Sequence, residues 1–89
     1  MKRFRIIYKN LKKVWGYAVL DDMTIEMDAR CKGKKHLEIA IHEMVHLLWE
    51  NESEEEVERK SIIMTNTLWH EKYRRIDDTN KQPLQDGTK

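Results

Sequence analysis

The sequence predicts an α+β fold: a small antiparallel β-sheet of about three strands packed on two helices. Three observations predict it. Residues 1–28 hold three short runs rich in β-branched and aromatic residues, separated by polar breaks. Residues 35–50 then switch to apolar residues recurring at intervals of three and four. After a short polar connector, Ser53 and Glu56 form the pattern of a capping box that opens a second helix. A chain of 89 residues makes one small domain with a thin core. That domain is expected over residues 1–76. Residues 77–89, with Pro83 and Gly87, read as a flexible C-terminal tail.

The first strand is expected at "RFRIIY", residues 3–8, and the second at "VWGYAVL", residues 14–20. Gly16 inside the second marks a bulge or a close backbone approach. Asp21-Asp22 suits a tight turn, and "MTIEMD", residues 23–28, completes a hairpin as the third strand. "ARCKGKK" reads as a loop punctuated by Gly33. The first helix carries Leu37, Ile41, Met44, Val45 and Leu48 on its apolar side and runs to about Glu50. The second is expected from Glu54 to about Arg74. Val57, Ser61, Met64 and Leu68 form its inner stripe, with Ile62, Trp69 and Tyr73 on a flank. Acids in its first turns complement the helix dipole.

Apolar residues make up 39% of the chain and charged residues 37%, but the apolar ones are clustered, which favours a folded centre over disorder. Cys31 is the single cysteine, so no internal disulfide can form. No signal-like apolar block and no long uncharged apolar run is visible, so a soluble cytoplasmic protein is expected. The net charge of +1 hides an asymmetry: residues 1–13 are basic without an acid, and residues 50–58 acidic without a base. Such runs are usually solvated faces, and lysines protect an exposed strand edge. No nucleic-acid-binding signature accompanies the basic arm, so nucleic acid is not the expected partner.

The chemistry sits in "IAIHEMVHLL". His42 and His46 are four apart on a helix and project from one side, one turn apart. Two imidazoles so placed can reach a single zinc ion. Glu43 points aside from the metal but within reach of a water bound to it, as a general base requires. Histidine pairs on helices also occur without metal. Here the apolar surroundings argue that the two rings need partners. Three glutamates compete for third ligand. Glu52 would need a glycine turn at the position of Trp49, which disfavours it. The short connector folds the second helix back beside the first, and this brings either Glu54 or Glu58 level with the histidines. His70 is too far along the second helix to join them. His36 reads as a surface residue ahead of the helix, and Cys31 as a small buried apolar one.

The order of "WGYA", "TIEMD", "GKKHLEIAIHEMVHLLW", "SEEEVERKS" and "TLWHEKYRR" resembles the small phage and prophage zincin-like metallopeptidases. The resemblance spans roughly Trp15 to Arg75. It implies a minimal gluzincin-like site with Zn2+ on His42, His46 and a glutamate from the following helix. In the family's "ExxV" phrase that glutamate matches Glu54, with Glu58 held in reserve. The ending departs from the family: Glu71-Lys72 stand where Leu-Gly is usual, which bears on where the second helix ends.

Three functions follow as expectations. The first is a zinc metallopeptidase acting on a peptide or protein substrate, with Glu43 as general base and substrate laid along a sheet edge. The second is a zinc-binding structural or regulatory protein of phage type without useful hydrolysis, since no second domain walls a cleft. Among Tyr17, Tyr73 and His36, nothing singles out an oxyanion partner. The third is a small nucleic-acid or protein-binding module using the basic arm.

Overall fold

The computed structural model describes residues 2–76, so the expected tail lies outside the described residues. Three strands, β1 (Arg5–Lys9), β2 (Gly16–Val19) and β3 (Thr24–Asp28), precede two helices, α1 (Gly33–Leu48) and α2 (Glu54–His70). The fold is α+β, as the sequence predicts. The sheet differs in one respect. Its order is β1-β3-β2, with β3 antiparallel to β2 but parallel to β1. The sheet is therefore mixed, not antiparallel throughout.

The physical reason lies in β3. Thr24, Ile25, Met27 and Asp28 are all buried, so this strand is covered on both faces and takes the centre. The polar β1, with Arg5 and Lys9, is left as an edge strand. Asp28 fixes the crossover. Its carboxylate accepts from Leu11 N–H at 3.1 Å, from Arg30 N–H at 2.8 Å, and from the Arg30 guanidinium at 2.8 and 3.1 Å. The Arg30 guanidinium and backbone together hold the Asp28 carboxyl down at about 2. One buried side chain thus ties the β1–β2 connector to the loop that leads into α1.

The β2–β3 hairpin closes through a 3-10 turn, Leu20–Asp22, with Met23 in the left-handed region at φ 55°. Gly16 is a point of close approach. A Cβ there would lie 2.8 Å from Ile39 Cγ2 and 3.0 Å from the Glu26 carbonyl oxygen. Gly16→Ala is expected to lower stability by about 1–3 kcal/mol, the usual range for overpacking. Denaturant unfolding reads this, and an unchanged midpoint would mean that β2 and α1 are less tightly apposed.

α1 packs two ways. Ala40 meets Met27 and Cys31 on the sheet side, while Ile41 and Val45 meet Val57 of α2. Val57 is fully buried, a burial that stabilises by roughly 1.5–3 kcal/mol. Ser53 caps α2, its hydroxyl accepting from Glu56 N–H at 3.2 Å. α2 ends at His70, four residues before the expected Arg74. Lys72 adopts φ 76°, Lys72 N–H donates to the Trp69 carbonyl, and Tyr73 N–H donates to the Leu68 carbonyl, both at 3.0 Å. These are the two bonds of a Schellman motif, with lysine in the place that favours glycine. Among the described residues no helix is long and apolar enough to cross a membrane.

Candidate metal centre

α1 and the first turns of α2 position the site. Because residues 49–53 form only a short turn, α2 returns beside α1 and sets Glu54 against the histidines. His46 Nε2 lies 3.1 Å and His42 Nε2 lies 3.4 Å from the same oxygen, Glu54 Oε1. The three ligand atoms all fall within 4.8 Å of one another. The His42 and His46 rings meet edge to face, with centroids 4.9 Å apart. Two atoms each about 2.0–2.1 Å from a tetrahedral zinc sit roughly 3.3–3.4 Å apart. The two nitrogen–oxygen separations are close to such tetrahedral edges, so this donor set could hold a metal ion.

Glu58 is placed differently. Its Oε1 lies 3.4 Å from Nδ1 of His42, the ring nitrogen turned away from Glu54. Of the two glutamates the sequence left open, Glu54 faces both imidazoles. Glu58 stands behind one of them, where a carboxylate orients a ligating ring and fixes its tautomer. Glu52 is occupied elsewhere, its Oε1 accepting from Lys60 Nζ at 3.0 Å. Cys31 is buried in the core at 2% exposure, and exposed His70 lies at the far end of α2.

Glu43 is the buried acid of the site, at 8% exposure. Its neighbours explain the burial: β2 narrows at Gly16, and a Cβ there would lie 3.8 Å from Glu43 Cγ. No hydrogen-bond partner reaches its carboxylate among the described residues. Burial pushes this carboxyl above its ordinary value, against the opposing pull of His42 and His46 and with some help from Glu54. Such a perturbed acid beside converging ligands is characteristic of functional sites.

Two clefts open on Glu43. One, about 390 Å³, lies between Trp15, Gly16, Lys35, Ile39, His42 and Glu58. The other, about 270 Å³, is lined by Ala18, Leu20, Glu43, His46 and Glu50. A larger and almost wholly apolar cavity, about 430 Å³, lies between α1 and α2 around Ile41, Leu48, Ile63 and Leu68. It contains neither the imidazoles nor Glu43. Tyr17, Tyr73 and His36 line neither cleft. His36 is not ahead of the helix but within its first turns, half-buried, with Nε2 2.8 Å from the Tyr8 hydroxyl.

Compared with protein-family models, curated proteins and solved structures, the chain matches none. The reading of the site therefore stands on its own geometry.

That geometry also holds residues that sequence reasoning missed. Trp15 lines the larger Glu43 cleft and meets two cations, Arg30 at 4.8 Å and Lys35 at 5.2 Å from its ring centroid. Nothing in the spacing of these three residues signals that they meet. Glu50 does carry a signal: it follows His46 by four, the same interval that separates the two histidines.

Proposed function

We propose that this protein is a zinc-dependent hydrolase of peptide bonds, with His42, His46 and Glu54 as metal ligands and Glu43 as general base. One observation carries the reading. Two imidazole nitrogens and one carboxylate oxygen converge beside a buried, unpartnered carboxylate. Zinc held there supplies an electrophile for the peptide carbonyl and lowers the pKa of its water towards neutrality.

The chain's own residues do the rest. Glu43, as carboxylate, takes the proton of the attacking water and then delivers it to the departing amine nitrogen. Its burial raises its affinity for that proton and keeps the carboxylate from being spent on a hydrogen bond elsewhere. Glu58 Oε1 stands 3.4 Å from Nδ1 of His42, placed to steady the ring with Nε2 towards Glu54. β2 supplies a place for substrate. It is an edge strand, and Asp28 N–H donates to the Trp15 carbonyl at 2.8 Å in the ladder with β3. By the alternation of an antiparallel ladder, the N–H and C=O of Gly16 and Ala18 then point to the open edge. A peptide can add there as a further strand and pass Glu43. The same reading agrees with the phage-type zincin resemblance and with action in the cytoplasm.

Zinc-loaded protein is expected to cleave a generic peptide pool, and a chelator is expected to stop the cleavage. If zinc binds stoichiometrically but no peptide is cut, the protein is the zinc-binding structural or regulatory type. If neither zinc nor cleavage is found, the imidazoles are incidental.

A further inference from the structure

The two clefts on either side of Glu43 differ in charge. The one on the His42 side contains Lys35 with Glu38 and Glu58. The one on the His46 side has walls of Ala18 and Leu20 and, beyond Glu43 and His46, a single charged group, Glu50. Among the described residues Glu50 makes no ion pair. No lysine or arginine among the described residues lines this cleft. Glu43, nine-tenths buried and without a hydrogen-bond partner among the described residues, lines this space as well as the other.

We infer that this cleft is a specificity subsite for a lysine or arginine side chain next to the scissile bond, with Glu50 as the residue that selects it. The inference rests on the peptidase reading and names its substrate class. Glu50 stands two residues past the end of α1, in the turn that leads to α2, and shares the cleft wall with His46. A lysine or arginine side chain entering here would pack its methylenes on Ala18 and Leu20 while its charged head meets the Glu50 carboxylate. A side chain of a peptide added along Gly16 and Ala18 enters this cleft, because Ala18 belongs to both the strand edge and the cleft wall. An acidic side chain would meet Glu50 as a like charge.

The test separates recognition from cleavage. Blocked pentapeptides, identical except for Lys, Arg, Leu or Glu at the central position, are titrated by fluorescence anisotropy against zinc-loaded Glu43→Gln protein. The same variant carrying Glu50→Gln or Glu50→Lys is titrated in parallel. The peptides are also incubated with the zinc-loaded wild type, and products are read by mass spectrometry. The Lys and Arg peptides are expected to bind about tenfold or more tighter than the Leu and Glu peptides. Glu50→Gln should erase that preference, and Glu50→Lys should turn it towards the Glu peptide. Equal binding of all four, no binding, or a preference that survives Glu50→Gln would overturn the inference. Glu50 is exposed, and unchanged melting temperatures of its variants secure the comparison. Cleavage without a Glu50-dependent preference would overturn the subsite and leave the hydrolase standing. A Glu50-dependent preference in binding without any cleavage would support the subsite and overturn the hydrolase.

Discussion

Zinc supplied at about a hundredfold excess over its dissociation constant is expected to raise the melting temperature by roughly 10–20 °C. The ligand-linked stabilisation at that excess is about 2.7 kcal/mol. A domain of this size gains about 4–8 °C for each kcal/mol. The gain should depend on the three converging side chains unequally with respect to Glu58. Glu54→Ala removes the oxygen that faces both imidazoles at 3.1 and 3.4 Å, and so should remove most of the shift. Glu58→Ala removes only a carboxylate behind His42, where losses of about 10–100-fold in metal affinity are usual. Glu58→Ala should therefore still respond at higher zinc. Differential scanning fluorimetry against a zinc series, with each variant, checks this. The reverse order would mean that α2 engages the metal one turn later.

The second large effect concerns Glu43. Glu43→Gln should retain zinc and lower peptide hydrolysis by about 10²–10⁴-fold, the span general acid–base groups usually contribute. It should also raise the stability of the metal-free protein at neutral pH. The sign follows from burial. Burial raises the carboxyl of Glu43, so folding disfavours the ionised form that prevails at neutral pH. A neutral amide of the same shape does not carry that penalty. Hydrolysis and thermal melting of the same variant read both effects. A variant that is less active and also less stable would point to a structural acid and not a base.

Much of this arrangement was legible in the residues, for identifiable reasons. Helical spacing placed His42 and His46 together because their relation is local, within one turn of one helix. The shortness of residues 49–53 brought α2 back beside α1, which narrowed the third ligand to Glu54 or Glu58. Ser53 at the cap was legible because capping chemistry is also local. The parallel pairing of β1 with β3 was not legible. It depends on Asp28 gathering Leu11 and Arg30 around one buried carboxylate, a long-range choice that no periodicity records. The early end of α2 was missed because Lys72 takes a left-handed turn that composition assigns to glycine. The cleft at Glu50 needed the β2 edge beside α1, which only Gly16 hinted at.

The measurement closest to the central claim is the coordination of zinc in the loaded protein, by crystallography or X-ray absorption. The account predicts one zinc per chain with two imidazole nitrogens at about 2.0–2.1 Å and one carboxylate oxygen at about 2.0–2.2 Å. The nitrogens should be those of His42 and His46, the oxygen that of Glu54, and the fourth position should be left to solvent. Zinc absent from these residues, or held without Glu54, would contradict it.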